Sequence, residues 1–190
     1  KKNIFFVWPV LIFLLAIIAM ANALTEGSVD SWGALYMKDY IQVSGFKVGV
    51  ATISFNIFMV AGRLGGDWIR DKIGVFKMLI ILFLLTILSL IILINFNSMI
   101  SSIIGFAILG IGGSSIVPIS YSLAGKIKGI DSGVGITIVS IAVYGTFIGA
   151  PASLGFVANA YGVNNVFSPT LLIFIIILVP IFIFKKEFRL

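Results

Sequence analysis

The sequence predicts an all-α fold: a polytopic membrane protein with six transmembrane helices. Composition is the first observation. Hydrophobic residues fill 60% of the 190 positions and charged residues 11%, with a mean hydropathy of +1.20. Soluble domains run near roughly 45–50% apolar and about 25% charged. The second observation is six apolar runs, each near or above the roughly 20 residues that cross a hydrocarbon core. The third is that no run alternates polar and apolar residues with period two, which sets aside a membrane β-barrel.

The runs cover about residues 4–27, 48–69, 75–94, 99–123, 133–160 and 166–184, so residues 1–190 read as one transmembrane domain. The chain begins at Lys1, just ahead of the first run, and reads as a portion of a longer protein. In the first run, Asn22, Glu26 and Asp30 are spaced by four and share one helix face if the helix persists. A carboxylate in hydrocarbon is costly and usually faces protein or water. Counted from Lys2, however, Glu26 lies about 36 Å along a helix. That distance favours the outer headgroup region, with substrate binding or proton coupling as the competing role.

The second run holds Thr52, Ser54 and Asn56 in its interior. Asn56 needs a partner, because an unpaired amide in hydrocarbon is costly; contact with a solute and helix-to-helix stitching remain open. The run ends in charges of both signs: Arg63, Asp67, Arg70, Asp71 and Lys72, then Gly74 for a tight turn. Such a cluster can latch one conformation and release it in another. A solvated loop accounts for Arg70 and Lys72 but less well for Arg63 and Asp67, which lie further in.

The third and sixth runs are almost purely aliphatic or aromatic and suit a lipid-facing role. The fourth carries Gly105, Gly110, Gly112 and Gly113, and the fifth Gly135, Gly145, Gly149 and Gly155. Small residues let helix backbones approach closely in lipid, so these two runs are expected to be internal. Pro118 and Pro151 should bend them. Their hydroxyl and aromatic groups, among them Ser114, Ser115, Tyr121 and Tyr144, suit a neutral, sugar-like or amphipathic solute. Serine and threonine more commonly bond their own helix.

Basic residues set the orientation. Lys1, Lys2, Arg70, Lys72, Lys77, Lys126, Lys128, Lys185, Lys186 and Arg189 fall on one side of a six-span topology, and only Lys38 and Lys47 on the other. By the positive-inside rule both termini are cytoplasmic.

Several function classes recede. With no Cys and no His there is no disulfide, thiol nucleophile or common metal ligand, and no metal or cofactor is expected. No Walker phosphate loop or Gly-x-Ser-x-Gly elbow is present, so an enzyme is not expected. The net charge of +6 reflects loop asymmetry, not nucleic acid.

The segment Ile69-Arg70-Asp71-Lys72-Ile73-Gly74 resembles the core of the major facilitator loop signature, Gly-x-Leu-x-Asp-Arg/Lys-x-Gly. It departs at Asp67, where the signature has its first Gly, and at Val75, where a basic residue is usual. Residues 25–36 resemble the Glu-Gly-x-x-x-Asp-Trp-Ser-Ala-Leu-Tyr segment of bacterial transporters of the YbjJ and MosC type. Gly62-Arg63-Leu64 with Gly66-Asp67 is similar to that group's Gly-Arg-Leu-x-Gly-Asp stretch. Gly110-Ile111-Gly112 with Val117-Pro118 resembles its tenth helix, and residues 145–155 its eleventh.

The resemblance implies one carboxy-terminal, six-helix half of such a transporter, built from two inverted three-helix repeats. It implies a bacterial cytoplasmic membrane, a missing amino-terminal half as partner beside the lipid bilayer, and a small-molecule solute moved by alternating access. A proton is a candidate coupling ion. A non-transporting scaffold or signalling module is the alternative.

Overall fold

The computed structural model describes residues 10–189 and is all helical among them. The first six positions of the first expected run, with Lys1 and Lys2, lie outside the described residues. The helices are α1 (Val10–Leu35), α2 (Val50–Ile73), α3 (Val75–Asn95), α4 (Met99–Gly113), α5 (Ile116–Ala124), α6 (Ser132–Tyr161) and α7 (Ser168–Ile183). A π turn, Tyr36–Tyr40, extends α1. Six helical stretches are long and apolar enough to cross a membrane, with α4 and α5 together forming the fourth.

The turns follow local chemistry. Gly74, at φ 85°, ends α2 and opens α3 in a conformation that L side chains rarely adopt. Ser98 and Ser101 form a reciprocal capping box at the start of α4. Asp131 Oδ1 accepts from the amides of Gly133 and Val134 to cap α6.

α1 is the axis of the bundle. It contacts α2, α4, α5, α6 and α7, and 67% of its most apolar stretch is buried. Small residues set the closest crossings. A Cβ on Gly110 would strike the Phe55 carbonyl oxygen and lie 2.9 Å from the Met59 nitrogen, so α4 lies against the backbone of α2. Gly112 meets Thr86 of α3 in the same way.

Two expectations are corrected. The fifth run, α6, is not internal within this chain: only 22% of its apolar stretch is buried, as for α2. Its glycines differ in use. Gly135 abuts the Ala124 carbonyl, but Gly145 and Gly149 have nothing within 4 Å. Conversely α3 is not merely lipid-facing, since it buries Leu79, Leu82, Phe83, Leu90 and Leu93. At one end of the bundle Tyr36 packs edge-on against Phe106 and Phe167, with ring centroids 5.7 and 5.4 Å away. Its hydroxyl donates to the Leu93 carbonyl at 2.7 Å.

Candidate functional site

The site is built on a break in the fourth span. α4 stops at Gly113 and α5 starts at Ile116. Pro118 explains the gap: it has no N–H to give to the carbonyl four residues earlier, that of Ser114. The Ser114 N–H and hydroxyl both turn back to the Ile111 carbonyl, at 3.2 and 2.7 Å. The freed Ser114 carbonyl oxygen accepts instead from Arg63 Nε at 3.1 Å.

Arg63 is the fourteenth of the 24 residues of α2, deep in the helix, away from its charged end. It can reach the break because its own helix is bare there. A Cβ on Gly62 would fall 2.6 Å from Ser114 Oγ, and one on Gly66 2.6 Å from Ser115 Oγ. The outer edge of the guanidinium turns to α1, where Arg63 Nη2 stands 3.9 Å from Glu26 Oε1. Glu26 Oε1 also accepts from Asn22 Nδ2 at 2.7 Å. Asn22 is fully buried, and its Oδ1 lies against Gly113 with no hydrogen-bond partner among the described residues. A chain of contacts, Asn22–Glu26–Arg63–Ser114, thus joins three spans.

Glu26 is not at the end of its helix. The helical stretch continues for fourteen residues beyond Glu26, to Tyr40, about 21 Å at 1.5 Å per residue. The first run's apparent end at Gly27 is not the end of the helix, which continues to Tyr40. Asp30 is one turn further on and exposed.

The other expected residues separate. Arg70 gathers Asp67 at 2.8 Å and Asp71 at 3.2 Å, while Lys72 lies over the Trp68 ring at 3.6 Å. Arg63 takes no part in this cluster. Asn56 is exposed and donates to Thr52 O of its own helix at 2.9 Å. Ser120, Thr137, Ser140 and Thr146 are likewise spent on carbonyls of their own helices. Tyr121 is half-buried on α5, and Tyr144 is 65% exposed on α6. α6 runs unbroken past Pro151, so only Pro118 interrupts its helix. Among the described residues, no three His, Cys, Asp or Glu side chains gather as a metal site.

The family model of the Major Facilitator Superfamily matches residues 11–189. This chain belongs to that superfamily. It is 29% identical over 154 residues to the membrane protein MosC of Rhizobium meliloti, covering 81% of this chain and 38% of that protein. It is 31% identical over 144 residues to an uncharacterised MFS-type transporter of Yersinia pestis, covering 76% of this chain and 38% of that protein. The chain therefore spans well under half the length of these relatives. Among solved structures, the POT family transporter PepTSo superposes with a TM-score of 0.84 at 15% identity, over 96% of this chain and 38% of that one. A peptide transporter POT in complex with alafosfalin gives 0.82 at 17% identity, over 97% and 40%. These likenesses show the fold of one major facilitator half in an integral membrane protein.

Proposed function

We propose that this chain is one half of a secondary transporter that moves a small solute by alternating access. The observation that carries the reading is the Glu26–Arg63 contact, a carboxylate and a guanidinium placed mid-helix on two adjoining spans. Ionisable groups inside a membrane are costly and mark substrate or ion pathways. Here they meet at a broken helix, the usual setting of transporter sites.

The partner in this reading is an amino-terminal six-helix half. The faces that α2 and α6 leave open, with Ile53, Ile57 and Leu64 on one and Ile141, Ile148 and Phe156 on the other, are where it and the solute are accommodated. A sugar-like or amphipathic solute suits this mixture of apolar wall and isolated polar groups. Glu26 carries the coupling proton. The Arg70–Asp67–Asp71 cluster serves as the conformational latch. In this reading the termini lie on the cytoplasmic side of a bacterial inner membrane, which the distribution of basic residues between the loops supports.

The test is reconstitution of the intact protein in proteoliposomes with a panel of labelled solutes. Accumulation driven by an imposed proton gradient, lost in Glu26→Gln while counterflow exchange persists, supports the reading. Absence of uptake and exchange for every solute, with folded protein, leaves a scaffold and sinks it.

A further inference from the structure

We propose that the start of α3 and the segment after α7 together bind the headgroup of an anionic phospholipid. The site shares no residue with the Glu26–Arg63 contact and does not depend on the transport reading.

A cavity of about 410 Å³ opens there, lined by the Gly74 turn, by Phe76 and Lys77 of α3, and by Lys185 and Phe188 beyond α7. Phe188 is buried, and its ring centroid lies 6.3 Å from that of Phe76, so the segment after α7 is fastened to α3. Lys185 Nζ stands 5.1 Å from the Phe76 ring centroid, a cation–π contact that keeps the ammonium at the cavity. Lys77 is exposed. Neither lysine has a carboxylate partner among the described residues, whose three ion pairs all belong to Arg63 or Arg70. No acidic side chain lines the cavity. Asp67 and Asp71 are held by Arg70, and exposed Glu187 is outside the lining. Two cations thus line one cavity with no anion to meet them.

The surface beside the cavity selects a lipid over a free phosphate. On α3, Lys77 heads a line of exposed apolar residues, Ile81, Leu84, Leu88 and Ile91. Their alternating steps of four and three keep to one helix face. On α7, Leu172, Ile176, Val179 and Ile183 form a second exposed line, which runs toward Lys185 and Lys186. The two helices pack on each other, with the Phe83 and Phe174 ring centroids 4.7 Å apart. α3 has 21 residues, about 32 Å at 1.5 Å per residue, close to the roughly 30 Å of a hydrocarbon core. Its first turn, with Lys77, therefore lies at headgroup level. The lipid phosphate meets the two ammonium groups, and its acyl chains follow the apolar lines. A free phosphate has no use for those lines.

The experiment is native mass spectrometry of the intact protein in detergent. It is titrated with phosphatidylglycerol and with phosphatidylcholine of the same acyl chains, and glycerol 3-phosphate serves as the chainless head. Phosphatidylglycerol should bind more tightly than phosphatidylcholine, and glycerol 3-phosphate at the same concentration should not displace it. Lys77→Gln with Lys185→Gln should weaken phosphatidylglycerol binding about thirtyfold, roughly fivefold per lysine, and leave phosphatidylcholine unchanged. Lys77→Arg with Lys185→Arg should retain binding. Lys126→Gln with Lys128→Gln removes the same charge from the turn between α5 and α6 and should change nothing. Melting temperatures establish that each variant is folded. If the double glutamine variant does not fold, the single variants, each about fivefold weaker, carry the test. Equal affinity for the two lipids overturns the proposal. An equal loss in both glutamine pairs also overturns it, since that marks a general attraction to a basic end. Displacement by glycerol 3-phosphate does so too, by making free phosphate the occupant.

Discussion

Arg63 Nε donates to the carbonyl oxygen of Ser114 at 3.1 Å, supplying from α2 the hydrogen bond that Pro118 denies its own helix. The two residues are far apart in sequence, and neither feature explains itself alone. Together they account for a cation deep in α2 and for a broken fourth span.

This relationship predicts a coupling. Arg63→Gln should destabilise the protein by about 1–3 kcal/mol, the cost of stranding a buried acceptor. Pro118→Ala restores an N–H at the right position. In that background the same substitution should cost less, by about 1 kcal/mol or more. Unfolding of the four variants in detergent, arranged as a double-mutant cycle, measures the difference; an additive cycle refutes the link.

Glycine positions should separate sharply. Gly110→Ala places a Cβ into the Phe55 carbonyl and near the Met59 nitrogen, where backbone cannot yield. A loss of about 2–4 kcal/mol, or failure to fold, is expected. Gly65→Ala has nothing within 4 Å and should be neutral or stabilise by up to about 1 kcal/mol through helix propensity. Expression and melting temperature check both.

Asp71 should matter for rate and hardly at all for stability. Its side chain is 72% exposed and its ion pair with Arg70 lies at the surface, where such pairs contribute about 0–1 kcal/mol. Asp71→Asn should leave the melting temperature within error and slow turnover without changing apparent solute affinity. Equal loss of affinity and rate in folded protein would place a solute contact there instead.

Topology is open to a clean test because the chain has no cysteine. Asn97 lies in the exposed turn between α3 and α4, and Lys128 in the exposed segment between α5 and α6. Single cysteines there should react with an impermeant maleimide from opposite sides, Asn97→Cys from outside and Lys128→Cys from the cytoplasm. Labelling of both from one side contradicts the six-span orientation.

The six spans were legible because the apolar runs are long and their punctuation is short and polar. The site was legible in pieces. Asn22 and Glu26, Arg63, and Ser114 each stood out as polar groups in apolar surroundings, but nothing local says that three spans converge. Pro118 and Ser114 are spaced by four, and that spacing already implies an unpaired carbonyl; its partner on α2 does not follow from it. The first helix was read too short because the dip in hydropathy at Gly27 is not a helix terminus. The fifth run was misjudged because glycines mark close approach without saying to what: Gly135 answers to α5, while Gly145 and Gly149 meet nothing in this chain.

The aromatic end of the bundle has a mechanical consequence. Tyr36, fastened to the Leu93 carbonyl and wedged between Phe106 and Phe167, ties the tail of α1 to α3, to α4 and to the lead-in to α7. At the opposite end Phe76 of α3 packs against Phe182 and Phe188, with ring centroids 5.9 and 6.3 Å away, while the chain between α5 and α6 turns through exposed Lys126, Lys128 and Gly129. Amide exchange should therefore be slow around Tyr36 and around Phe76 and fastest in that basic turn. A half built this way is pinned by aromatic rings at both ends, and its slack lies in the loop between α5 and α6.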